Sequence, residues 1–321
     1  MWKLIAATLL SFATVLEARN WSYTRPETSP SKWFSLGYKS AAGMMQSPID
    51  ITTSELEFCR QLKSINLMKN PFVDLKDTKY TVKNDGSTLK ILFPADIWYV
   101  SFVGDKQKQY EAVEIHFHWG LDDTVGSEHK MNGNSYAAEA HLVTFNRLIY
   151  QDLEQAKVSP GGLAVLGFWL MINDEVPEDQ TMIGQMGNFS AYAPTVKKPE
   201  TQTSINAFDL SAVMRLIKSD KYYRYAGSMT TPPCTENVMW TMFQKPALIN
   251  SRQLSLLRQL QYPPSETAAQ MGDNFRPTVK LNTANSLLPR TVCRSSGVLV
   301  GFSLAAIFCS LLFYLLQTFI F

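Results

Sequence analysis

Alternation of apolar and polar side chains marks several short stretches of this chain, and a period of two is the signature of strands half-buried in a sheet. Residues 80–83 and 89–93 flank Asn84-Asp85-Gly86, a turn sequence, and read as a hairpin. Residues 110–119 and 136–145 read as two longer strands. Residues 163–172 are apolar at nearly every position, which suits a strand covered on both faces, and 238–243 read as another central strand. Helical spacing is confined to 210–217 and 253–260, the second with Ser251 as candidate N-cap. Helices do not alternate with strands, so a doubly wound parallel order is excluded. The pattern predicts a single, mainly β domain: a mostly antiparallel sheet with peripheral helices.

Two apolar runs stand apart from that pattern. The run from Leu4 to Leu16 follows Lys3 and precedes Ala18. It is shorter than the roughly 20 residues a membrane span needs. This order reads as a secretory signal peptide over 1–18. Residues 298–321 carry no charge, and upstream lie the small triplet Ala284-Asn285-Ser286 and a partly polar spacer. That order reads as a signal for glycolipid (GPI) exchange at Ala284, with a retained transmembrane helix as the alternative. The expected organisation is therefore a signal peptide, a folded domain over 19–284, and a C-terminal membrane-anchoring segment over 285–321. Both readings put the domain on the extracellular face of the plasma membrane. Secretion makes Asn20 and Asn188, each in an Asn-x-Ser triplet, glycosylation candidates.

Composition narrows the choice further. The chain has 321 residues, 45% of them hydrophobic, which is enough for a large core. A net charge of +2 without basic clustering gives no footprint for nucleic acid. Four cysteines occur, at 59, 234, 293 and 309. An oxidising compartment favours pairing among the first three, and the sequence does not choose the pair.

The chemistry lies in the histidines. The chain has four, and three of them sit in Glu114-Ile115-His116-Phe117-His118 and Glu139-Ala140-His141. Strand parity sends His116 and His118 to one face. A neighbouring antiparallel strand carrying His141 would complete a three-imidazole face with one position left open, as a catalytic Zn²⁺ requires. Three neutral ligands leave zinc its full charge, so its bound water ionises near neutrality to a nucleophilic hydroxide. Ser228-Met229-Thr230-Thr231-Pro232-Pro233 offers hydroxyls on a proline-stiffened loop that can accept from that hydroxide and donate to a buried carboxylate. His129 lies in a polar loop off the alternating pattern and reads as a structural hydrogen-bonding residue.

These motifs, together with Gln46-Ser47-Pro48-Ile49-Asp50, Gly126-Ser127-Glu128-His129, Leu163-Ala164-Val165-Leu166-Gly167 and Asn274-Phe275-Arg276-Pro277, resemble α-type carbonic anhydrases from about Trp21 to Leu281. The resemblance implies a large twisted, mainly antiparallel sheet with zinc at the base of a conical cleft. It implies reversible hydration of CO₂ to bicarbonate and a proton. It carries the zinc ligands onto His116, His118 and His141, the gate-keeping threonine onto Thr230 and the carboxylate behind it onto Glu128. Thr231 falls at the adjacent hydroxyl. The apolar CO₂ wall falls on Val143, Val165, Met229, Val238 and Trp240, and Tyr23 at the cleft mouth. Behind the ligands it places Glu139 for His141 and the Asn274 backbone for His118.

Three departures qualify the resemblance. Behind His116 the family usually has glutamine, and this chain has Glu114. A charged acceptor makes that imidazole more basic and the bound water less acidic. The proton-shuttle position holds Ser87 in place of histidine, which implies slower, buffer-dependent turnover. Secreted relatives pair the cysteine at Cys234 with one shortly before Gln46, and none stands there. The alternative to an enzyme is a catalytically silent extracellular binding module of the same fold. Such relatives lose zinc histidines, and this chain keeps all three. An esterase is a weaker alternative, since no acyl pocket or nucleophilic serine is evident.

Overall fold

The computed structural model describes residues 20–102, 109–281 and 290–295. The expected signal peptide, Ala284 and the apolar run 298–321 lie outside these residues. The strands begin with β1 (Asp50–Ile51), β2 (Glu57–Phe58), β3 (Ile65–Lys69), β4 (Lys79–Asn84) and β5 (Leu89–Leu92). Next come β6 (Trp98–Phe102), β7 (Gln109–Trp119), β8 (Lys130–Met131), β9 (Ala138–Asn146) and β10 (Leu163–Ile172). The last are β11 (Thr201–Asn206), β12 (Tyr222–Gly227), β13 (Val238–Phe243), β14 (Ala247–Ile249) and β15 (Cys293–Arg294). One large mixed sheet runs in the order β11-β4-β5-β7-β9-β10-β13-β12-β15-β2.

Antiparallel pairing dominates, as the alternating stretches predict, but β10 runs parallel to β13 and β14. This accounts for the continuous apolar run of β10. Parallel strands lie in the covered middle of a sheet and need apolar side chains on both faces. Leu166, Phe168 and Leu170 join the larger core on one face, while Val165 and Trp169 pack in a second cluster on the other.

Short helices sit at the periphery: α1 (Leu153–Lys157), α2 (Met182–Gln185), α3 (Ser211–Leu216) and α4 (Ser251–Leu257). The cap of α4 is Asn250, not Ser251. The Asn250 backbone N–H donates to Gln253 Oε1 at 3.0 Å, so Ser251 becomes the first helical residue.

The folded unit runs past residue 284. Arg290 and Val292 are buried, and β15 pairs with both β12 and β2. A disulfide joins Cys59 to Cys293, while Cys234 is a buried free thiol. Of the two sequon asparagines, Asn20 is exposed, and Asn188 is half-buried with its side-chain oxygen accepting from Ser190 Oγ at 3.2 Å. Among the described residues no helix is long and apolar enough to cross a membrane.

Candidate metal centre

Register across the sheet assembles the site. In antiparallel strands, residues directly opposite one another share a face. Lys90, His116, His141 and Gly167 lie in one row across β5, β7, β9 and β10. The next row holds Glu114, Val143, Val165 and, on β13, Trp240. On the other side of the histidine row, His118 stands opposite Glu139. A bulge at Val113 shifts the register of β7 against β9 and puts Glu114 beside Val143. Two strand parities and one register thus aim three imidazoles at one point.

The ring nitrogens are sorted by their outer partners. His116 Nδ1 donates to Glu114 Oε1 at 3.0 Å, and His118 Nδ1 to the Asn274 carbonyl at 2.7 Å. His141 Nε2 donates to Glu139 Oε1 at 2.5 Å. These partners only accept, so they fix the tautomers and leave the lone pairs on His116 Nε2, His118 Nε2 and His141 Nδ1 facing inward. His141 Nδ1 lies 3.3 Å from His116 Nε2 and 3.2 Å from His118 Nε2. Two nitrogens on a tetrahedral zinc stand about 3.3 Å apart, given Zn–N distances of about 2.05 Å. Inward lone pairs at this spacing could hold a metal ion between them, and the set fits zinc. Burial holds all three imidazoles below the ordinary histidine pKa, which keeps them neutral and able to ligate.

Carboxylates complete the surroundings. Glu128 Oε1 accepts from the Arg276 backbone N–H at 2.8 Å. Its Oε2 is buried without a hydrogen-bond partner, 3.5 Å from His118 Nε2 and 3.9 Å from His141 Nδ1. The hydrogen bond to Thr230 that the resemblance implies is therefore not made at this oxygen. A buried, unsatisfied carboxylate oxygen beside three lone pairs again suits a cationic centre. Glu139 Oε1 also accepts from His129 Nδ1 at 2.7 Å, and His129 Nε2 lies 2.5 Å from Tyr225 Oη. The group His129, Glu139 and His141 is thus closed on itself by hydrogen bonds and is the outer support of the first cluster.

A cavity of about 310 Å³ opens over the histidines. Thr230, Thr231, Met229, Val143, Val165, Val238 and Trp240 all line it, as do Ser87 and Tyr23. The β9–β10–β13 part of the sheet supplies the apolar residues and the β5–β7 part the polar ones. The Thr230 loop leaves β12 and is held by Ser228 N–H donating to Ser47 Oγ at 3.0 Å and by Trp240 Nε1 donating to the Ser228 carbonyl at 2.9 Å.

Lys90 belongs to the same wall as Ser87, but its ionic partners do not follow from the sequence. Lys90 Nζ lies 3.2 Å from Asp85 Oδ2 and 3.2 Å from Glu114 Oε1, making an ionic cluster directly behind His116. Lys90 is a polar residue in the alternating stretch Leu89–Leu92, and its pairing with His116 across β5 and β7 puts it on the histidine face.

The family model of eukaryotic-type carbonic anhydrase matches residues 28–286. The chain is 32% identical to carbonic anhydrase 7 of Mus musculus over 259 residues, covering 80% of this chain and 92% of that one. It is 29% identical to carbonic anhydrase 12 of Homo sapiens over 292 residues, covering 89% and 78%. It is 31% identical to carbonic anhydrase 3 of Rattus norvegicus over 263 residues, covering 81% and 94%. Sheet, histidine cluster and sequence agree, and the chain belongs to the eukaryotic-type carbonic anhydrases.

Proposed function

We propose that this carbonic anhydrase hydrates CO₂ reversibly at the outer cell surface, using a zinc ion held by His116 Nε2, His118 Nε2 and His141 Nδ1. The observation that carries the reading is the inward convergence of three neutral ring nitrogens whose other nitrogens are all engaged. Bound there, zinc supplies a water acidic enough to act as a nucleophile near neutral pH. The protein's residues do the rest. Val143, Val165, Val238 and Trp240 offer an uncharged substrate a dry surface beside the imidazoles. CO₂ has no charge to recognise, so an apolar wall holds it better than a cage of hydrogen-bond donors. Thr230, 5% exposed and on the cavity wall, is positioned to orient the attacking oxygen, with Thr231 beside it. Glu128 places a buried carboxyl oxygen 3.5 Å from His118 Nε2. Ser87 cannot titrate near neutrality, so the product proton leaves through buffer in place of a side-chain relay.

The extracellular part of the proposal rests on the run 1–18 as a signal peptide and on the Cys59–Cys293 disulfide, a bond that persists in oxidising compartments. Membrane attachment rests on the uncharged run 298–321. Exchange at Ala284 would cut away Arg290, Val292 and Cys293, which are built into the sheet. We therefore place the anchor downstream of Ser295.

Stopped-flow CO₂ hydration by purified protein tests the catalytic reading. Activity that disappears with chelation and returns with zinc supports it. Protein that holds one zinc per chain yet hydrates no CO₂ would instead fit the silent binding module.

A further inference from the structure

The last edge of the sheet joins two stretches that are far apart in sequence. Arg294 runs beside Phe58, with Cys59 N–H donating to the Arg294 carbonyl at 3.1 Å and the disulfide linking Cys59 to Cys293. Arg290 Nη1 donates to the Gln46 carbonyl at 2.6 Å, and Val292 is buried. Ser295 closes the segment: its N–H donates to the Tyr222 carbonyl at 3.0 Å and its Oγ to the Asp220 carbonyl at 2.7 Å. The polypeptide is thus pinned to the sheet as far as Ser295.

That fixed point limits where the next segment can go. The uncharged run from Val298 to Phe321 exceeds the roughly 20 residues needed to cross a hydrocarbon core. Three Cα steps separate Ser295 from Val298, a reach of at most about 11 Å. A bilayer entered at Val298 therefore begins beside the β2–β15 edge. The surface presented there suits it. Phe58 is 49% exposed, its register partner Arg294 is exposed, and the exposed Arg60 follows in the turn after β2. Phe58 and Arg294 are register partners and share a face, while Glu57 projects to the other face and takes a hydrogen bond from Thr291 Oγ1. An exposed aromatic residue with exposed arginines next to it in register and in sequence matches the interfacial zone of a bilayer, where rings lie at the acyl boundary and cations reach phosphate. Strand β2 also ends the strand order, and such an edge needs covering.

We propose that the β2–β15 edge rests on the bilayer surface, with Phe58 in the interfacial zone and Arg60 and Arg294 on lipid phosphates. The proposal depends on the reading above that the 298–321 run enters a membrane, and the test separates the two. The full chain is reconstituted into phosphatidylcholine vesicles with and without brominated acyl chains, which quench nearby indoles. Flotation reports attachment, and tryptophan emission reports contact. Phe58→Trp should lose emission in brominated vesicles, whereas Gln202→Trp, exposed on β11 at the opposite end of the strand order, should not. Protein that floats with the vesicles but shows equal quenching at both positions overturns the docked edge. Protein that does not float overturns the membrane reading, and the proposal with it.

Discussion

Lys90 and His116 face each other on adjacent antiparallel strands, and Glu114 bridges them: its Oε1 lies 3.2 Å from Lys90 Nζ and 3.0 Å from His116 Nδ1. Burial alone would raise the Glu114 pKa, but the Lys90 charge and the His116 hydrogen bond win and hold it well below the ordinary carboxylate range. The ionised Glu114 is thus shared between the Lys90 ammonium and the His116 imidazole, which tempers the extra basicity that a lone carboxylate would give His116.

Removing Lys90 should leave that charge buried and uncompensated. Lys90→Met is expected to destabilise the metal-free protein by about 1–3 kcal/mol. Adding Glu114→Gln, a neutral acceptor of the same shape, should recover most of the loss. Urea unfolding of the two single variants and the double gives the coupling, and strictly additive losses would refute the bridge.

Acid should unfold the metal-free protein in two steps. Burial depresses the pKa of His116, His118 and His141. The unfolded chain therefore gains protons first, and stability falls as pH drops below about 6.5. Glu114 and Glu139 are depressed too, by charge and hydrogen bonding that outweigh burial. Their contribution is complete above about pH 4.3 and is lost as pH falls from there toward their folded values. Urea midpoints between pH 8 and pH 3 should show both declines (about 8 and 3 being the ends of the useful range). In Glu114→Gln the second decline should be shallower.

Ser87 lines the cavity, and its Oγ donates to Asp85 Oδ1 at 2.8 Å. Ser87→His places a group that titrates near neutrality on the exit path. In dilute buffer kcat should rise by roughly tenfold or more, and the gain should vanish in concentrated buffer. Equal kcat in dilute buffer for both forms would show that proton export is not limiting.

The Cys59–Cys293 bridge spans a sequence separation of 234 residues. Replacing both cysteines by serine should cost about 2–5 kcal/mol of stability, read as a lower Tm. Activity at 25 °C (about room temperature) should survive, because neither residue lines the cavity. Loss of activity without loss of stability would place the bridge in the catalytic machinery.

Strand-level chemistry was legible because it obeys a period of two. The pairing of His116 with His118 follows from parity, and the run 163–172 matches β10 at both ends. What escaped depends on contacts between distant segments. The antiparallel neighbour carrying His141 is expected from the sequence, but no local pattern announces the bulge at Val113 that shifts the β7–β9 register. Lys90 meets Glu114 across a strand pairing, and Cys59 meets Cys293 across most of the chain. Arg290–Ser295 reads by composition as a spacer, yet hydrogen bonding to β12 and β2 makes it structure. The α4 cap moved by one residue because Asn250 and Ser251 are equally good cap residues, and the Gln253 contact decided between them.

The central claim is that three ring nitrogens hold one zinc ion. Anomalous diffraction recorded on both sides of the zinc absorption edge, from crystals of protein purified without added chelator, tests it most directly. A single strong peak bounded by His116 Nε2, His118 Nε2 and His141 Nδ1 is the predicted result. A peak elsewhere, or none in crystals of catalytically active protein, would contradict it.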